Sequence, residues 1–173
     1  MVVQHLIFLV GGYLFANRLD MLILGASRSS TRVTRVYTQL LRANFLLNRR
    51  GLITFAVAGI LAGFWHVPSN FNAAVLDEAA HLQMHVTFIV VGGLVFMGSK
   101  LLTQRTRHFL VLLPGKAMGI FGAFLLFKSE HVYEVYPVAE QATAGLIMIV
   151  MMFAMDLTIL PYCLYAYFGK KTS

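Results

Sequence analysis

Hydrophobic positions along this chain fall in long runs. They do not alternate as in a half-buried strand, nor recur every third and fourth residue as in a helix lying on a soluble core. The first run extends from Met1 to Ala16, and to Ala26 if Arg18 and Asp20 are passed over. The others are Gly51 to Val67, His81 to Leu102, Phe109 to Phe127 and Thr143 to Phe168. A helix needs roughly 20 residues to cross about 30 Å of hydrocarbon. Met1 to Arg18 is about enough, with Arg18 snorkelling at its far end. Gly11-Gly12 would loosen or kink that helix, and Gly92-Gly93 would let a neighbour approach the third run closely. The pattern predicts an all-α, polytopic membrane helix bundle with about five transmembrane helices, one transmembrane domain over residues 1–173. No strand pattern, repeat or low-complexity segment competes. No basic stretch precedes the first run, so it reads as a retained helix, not a cleaved signal.

The polar connections orient this bundle. Residues 27–50 form a basic loop carrying Arg28, Arg32, Arg35, Arg42, Arg49 and Arg50 without an acid. Leu40, Leu41, Phe45, Leu46 and Leu47 interleave with them, as in a helix lying on the membrane surface. Lys100, Arg105 and Arg107 follow the third run, and Lys170 and Lys171 the fifth. Together these three segments hold 11 of the 14 Lys and Arg. Cytoplasmic loops gather positive charge, so the expected orientation is N-terminus outside, C-terminus cytoplasmic, in a multi-pass protein of the cell membrane. The connection at 66–85 then lies outside. It opens on Phe64-Trp65-His66-Val67-Pro68, where Pro68 marks the helix end and Trp65 suits an interface. Ser69 to Ala80 reads as its loop. The 128–141 connection is acidic, with Glu130, Glu134 and Glu140 beside His131.

Composition narrows the function. The chain is 58% hydrophobic and 12% charged, against about 25% charged in a soluble domain. The net charge of +7 is explained by the cytoplasmic loops, so membrane lipids are expected partners and nucleic acid is not. Cys163 is the single cysteine, which excludes an intrachain disulfide and a CxxC metal site. No nucleophile–base set, P-loop or dinucleotide fingerprint occurs, so the chain is not expected to be an enzyme.

The candidate chemistry is imidazole. With that orientation His5, His66, His81, His85 and His131, five of the six histidines, lie on the outer side; His108 does not. His81 and His85 are four apart and share a helix face. Neutral imidazole suits copper and zinc, and the thioether of nearby Met84 would favour Cu(I), although it points about 100° away from His85. Asp77 or Glu78 could complete such a site or orient a ring. The alternative for each histidine is an ordinary hydrogen-bonded surface group, and paired transmembrane histidines can also ligate heme. Convergence of several helices on one side raises the histidines above chance and leaves a metal site and that alternative both open. Elsewhere, Lys116 and Asp156 fall at depths differing by roughly 6 Å, close enough to pair. Met148, Met151, Met152 and Met155 read as packing.

The order of motifs resembles a known family. Gln4-His5 opens an apolar helix that runs to Leu22-Ile23-Leu24-Gly25-Ala26. Then come Trp65-His66-Val67-Pro68, Phe71-Asn72-Ala73-Ala74, His81 with His85, and Glu140-Gln141-Ala142-Thr143-Ala144-Gly145-Leu146-Ile147-Met148. This is similar to the CtaG-like membrane assembly factors of caa-type cytochrome c oxidase. The resemblance implies a copper-handling accessory or assembly factor for a copper-containing membrane oxidase. Copper would be held by His5, His66, His81 and His85, and held exchangeably, since a delivery protein must release it. The chain departs from the family pattern in its length, in Glu140 where Asp is common, and in Ile149 where Trp follows the methionine. The client could instead be another copper membrane enzyme, such as an ammonia or methane monooxygenase. The alternative role is a permanent structural accessory subunit of a copper membrane enzyme complex, of heme–copper oxidase or ammonia or methane monooxygenase type, with no metal of its own.

Overall fold

The apolar runs fold as helices throughout. The computed structural model describes residues 2–48 and 51–168, and among them the elements are seven α-helices with no strand. They are α1 (Val2–Ser27), α2 (Thr31–Leu47), α3 (Leu52–Phe64), α4 (Pro68–Leu76), α5 (Glu78–Ser99), α6 (Gln104–Phe127) and α7 (Val138–Phe168). Among the described residues three stretches are long and apolar enough to cross a membrane: Gln4–Ser27, Glu78–Ser99 and Val138–Pro161. The pair α3 and α4 bends by 64° at the break between its helices and makes a fourth if counted as one broken span. Leu112–Phe127 is a shorter apolar helix. Each of the five expected runs therefore lies on a helix.

Three local expectations change. α1 continues through Gly11-Gly12 and past Arg18 and Asp20 to Ser27. The 66–85 connection is largely helical: α4 occupies Pro68–Leu76, and His81 and His85 already sit inside α5. Pro68 is the first residue of α4, where its missing N–H leaves no bond unmade and its fixed φ suits a helix. Asp77, expected in the loop, is the cap of α5, its Oδ1 accepting from the Ala79 N–H at 3.0 Å. Trp65, expected at an interface, is 7% exposed and packs with Ala74, Met84 and Phe88 in the core.

The chain divides into two compact units, Met1–Leu102 and Thr103–Ser173. In the first, α5 is the central helix, packed against α1, α3 and α4. α1 runs parallel to it. Gly12 meets the backbone of Ile89, Gly92 meets the backbone of Leu9 and Tyr13, and Asp20 reaches Lys100. A Cβ at Gly12 or Gly92 would collide with a carbonyl oxygen of the facing helix, so these positions set the closeness of the crossing. α3 runs antiparallel to α5, with Gly51 and Phe55 against Gly98. Gly51 has φ +76°, a left-handed conformation that glycine adopts without steric cost. α2, an amphipathic helix, leans on α1.

In the second unit α6 and α7 pack antiparallel. Gly115, Gly119 and Gly122 on α6 receive Met155, Met152 and Met148 of α7, so those three methionines fill the helix contact as expected. Lys116 and Asp156 form the expected ion pair across the same contact. Gln141 pins the connection before α7. Its Oε1 accepts from the N–H groups of Val132 and Tyr133 at 3.0 and 3.1 Å, and its Nε2 donates to the carbonyls of Tyr133 and Tyr136 at 2.9 and 2.8 Å. Burial pushes the Tyr133 hydroxyl up to about 12. His131, exposed, bonds through Nδ1 to the Tyr136 carbonyl and belongs to this unit.

Candidate functional site

His5, His66, His81 and His85 come from three places in the first unit: the start of α1, the turn between α3 and α4, and the first turns of α5. The fold brings them to one end of it. The parallel α1–α5 crossing aligns the two helix starts, and the antiparallel α3 returns its C-terminal end to them. There His5 lies beside His66, and His81 beside His85.

Two aromatic stacks fix the rings, and both are reciprocal. His5 of α1 stacks on Phe88 of α5, centroids 4.3 Å apart, while His85 of α5 stacks on Phe8 of α1 at 4.1 Å. The spacing is the same on both helices, a histidine and a phenylalanine three residues apart. His66 approaches His5 edge-on at 5.9 Å, and His81 approaches His85 edge-on at 4.3 Å. His5, which joins the others only because α1 packs on α5, is 8% exposed.

Hydrogen bonding divides the four rings into two kinds. His66 Nδ1 lies 2.7 Å from the Ala62 carbonyl and His81 Nδ1 3.0 Å from the Ala74 carbonyl. A carbonyl can only accept, so each Nδ1 carries the proton and, in the neutral ring, each Nε2 carries the lone pair. This backbone anchoring is how metal-ligating histidines have their tautomer fixed. By contrast, His5 Nε2 and His85 Nε2 are buried and have no hydrogen-bond partner; Asn72 Oδ1 of α4 is in the same condition. Buried polar atoms without partners are rare and call for an explanation.

The distances say which rings can share an ion. A metal–nitrogen bond of about 2.0–2.1 Å places each imidazole centroid roughly 3.2 Å from the ion, so tetrahedral or linear pairs have centroids roughly 5–6.4 Å apart. The His5–His66 separation of 5.9 Å falls in that window. The His81–His85 separation of 4.3 Å is short of it, so the helical pair needs a ring rotation to act together. Among the described residues no group of three or more His, Cys, Asp or Glu stands close enough to hold a metal. Met84 is fully buried in the core with Trp65 and Phe88 and is a packing residue.

Sequence reasoning missed Phe8 and Phe88; their mirrored spacing from His5 and His85 was the available signal. It also missed a polar cluster at the opposite end of the unit. There the Tyr37 hydroxyl donates to Asp20 Oδ1 at 2.8 Å, Lys100 forms an ion pair with Asp20, and its ammonium lies 5.1 Å from the centroid of the Phe96 ring. For Lys100, burial opposes the charged form, but the hydrogen bonds to Asp20 and Tyr37 outweigh it and hold the ammonium above the ordinary lysine value. Burial, then the bond to Asp20, pushes Tyr37 up as well.

Fold and site together define a helical membrane protein that collects imidazoles at one end of its first unit. The family model of the cytochrome c oxidase caa3 assembly factor (Caa3_CtaG) matches residues 19–169, and the chain belongs to that family. Comparison with curated proteins and with solved structures gave no match. The matched segment contains His66, His81 and His85; His5 precedes it.

Proposed function

We propose that this chain serves maturation of a copper-containing membrane oxidase by binding Cu(I) as cargo at His5, His66, His81 and His85 and releasing it to the client. The role is non-catalytic. Family membership supports an assembly role and an oxidase as partner. The single observation that supports copper is the pair of buried, partnerless Nε2 atoms on His5 and His85, set beside two rings whose Nδ1 is anchored to backbone. The donor set is all nitrogen and neutral, which suits a soft to borderline ion. His5 and His66 are spaced to take the ion between them, and His81 with His85 offer a neighbouring pair. Low-coordinate Cu(I) is compatible with two imidazoles, and a site built of pairs favours release. The Lys and Arg distribution supports the outer side of the cell membrane for the histidine end.

The test is Cu(I) binding by the purified protein under reducing conditions against a chelator of known affinity, beside His5→Ala, His66→Ala and His81→Ala/His85→Ala variants. Binding that weakens in the variants carries the proposal. The second reading is a permanent accessory subunit, in an oxidase or in an ammonia or methane monooxygenase, with histidines that only hydrogen-bond. It draws on the bonds of His66 and His81 to their backbone carbonyls. Stoichiometric co-purification with the mature client, with copper binding indifferent to all four histidines, would favour it. A heme Soret band in the purified protein would contradict both.

A further inference from the structure

The opposite end of the first unit carries a feature that the assembly role does not use. α2 leans on α1 by one edge only. Its apolar side chains Val36, Leu40, Leu41, Phe45 and Leu46 remain exposed. Beneath it a cavity of about 700 Å³ lies between α2 and the end of α5, bordered by Tyr37, Leu41, Arg42, Phe45, Lys100 and Leu101. A second cavity of about 190 Å³ shares Tyr37, Leu41 and Lys100 with it and continues between α1 and α5, past Ala16, Leu19, Phe96 and Met97. The two form one trough. Its floor is apolar and follows helices long enough to span a membrane; its lip is basic.

We propose that this trough binds one anionic phospholipid, with an acyl chain between α1 and α5 and the phosphate at Arg42 and Lys100. Charge complementarity selects that occupant. Residues 27–50 carry six arginines and no acid, and the acid that borders the trough, Asp20, is already bonded to Lys100 and Tyr37. The lysine ammonium has three N–H donors; Asp20 and Tyr37 take two, which leaves one for a phosphate at the edge of the trough. An apolar groove of this size at the end of membrane-spanning helices faces acyl chains, not water, and a zwitterionic headgroup would bring no net charge to the arginines. Basic residues near a membrane surface each strengthen attraction to anionic lipid.

Native mass spectrometry of the full chain in detergent, titrated with phosphatidylglycerol or phosphatidylcholine, tests the site. The wild type should retain phosphatidylglycerol in preference to phosphatidylcholine. Arg42→Gln should reduce that preference about fivefold. Arg35→Gln removes the same charge from the same helix but lines neither cavity, and should change it by less than about twofold. Leu41→Trp fills the junction of the two cavities and should abolish retention of both lipids. Glycerol phosphate, which has the anion without the chain, should not compete. Equal losses in Arg42→Gln and Arg35→Gln would mean diffuse attraction to a basic helix and would overturn the proposal. So would equal retention of the two lipids by the wild type, or competition by glycerol phosphate. The two arginine variants keep the test decisive if Leu41→Trp does not fold.

Discussion

The two ends of the Met1–Leu102 unit treat polar groups in opposite ways. At one, Asp20, Tyr37 and Lys100 satisfy one another across α1, α2 and α5. At the other, His5 and His85 each bury a ring nitrogen that no group satisfies. The same helices join the ends, and His85 and Lys100 are separated by roughly 22 Å of α5. A satisfied polar cluster at the end of a bundle ties helices together. An unsatisfied one costs stability, and on the function proposed above that cost is offset when a ligand takes the vacant nitrogens. The ionic end holds the fold; the histidine end is the one proposed to take the ligand.

The strongest way to break this comparison is to separate α1 from α5, since both ends depend on their crossing. Gly92→Ala places a methyl against the Leu9 carbonyl and should destabilise by about 3 kcal/mol, the upper part of the overpacking range. Gly11→Ala, with open space around its Cβ position, should cost nothing and can stabilise by up to about 1 kcal/mol through helix propensity. Thermal unfolding in detergent compares the two.

Next in size is the ionic end alone. Asp20→Asn should cost about 1–3 kcal/mol by leaving the Lys100 ammonium without its counter-ion in a partly buried place. The double variant Asp20→Asn/Lys100→Met should cost less than the sum of the singles, with a coupling of about 0.5–3 kcal/mol. Additive costs would mean that the pair does not form. The Lys116–Asp156 pair of the second unit should give a cycle of the same sign. Copper binding should be unchanged in all of these variants, provided that the fold is kept.

A smaller effect sharpens the contrast through pH. Lys100 and Tyr37 are both raised above their ordinary values of 10.5 and 10.0. A raised folded-state value stabilises the fold below the unfolded value, and that stabilisation is lost as pH climbs through the shifted one. The melting temperature should therefore fall as pH passes about 10, and fall less in Asp20→Asn/Lys100→Met. An equal slope in both proteins would mean that Asp20 and Lys100 do not carry the pH dependence.

Much of this was legible in the sequence, for identifiable reasons. The helices follow from runs of apolar residues, and Gly92-Gly93 announced a close crossing because only hydrogen at that position permits one. The Lys116–Asp156 pair followed from depth counting. Trp65 was misread because aromatic belts are a composition rule, while burial depends on which helix lies across it. The α4 helix was hidden because a nine-residue helix after a proline resembles a loop. Asp20, read as an interruption of an apolar run, needed Tyr37 and Lys100, 17 and 80 residues away in sequence, before it had a role. The histidines were found by counting sides of the membrane. Their division into anchored and partnerless rings needed Ala62, Ala74, Phe8 and Phe88 in place.

The central claim is that the histidine end is the ligand end, and that rings from different helices form its primary pair. Chelator competition with Cu(I) tests this directly. His5→Ala and His66→Ala should each weaken binding by about 10- to 100-fold, the range set by loss of one metal-supporting contact. His81→Ala should weaken it less than either, and Asp20→Asn/Lys100→Met not at all. Cu(I) affinity that survives replacement of His5, His66, His81 and His85 together would contradict it.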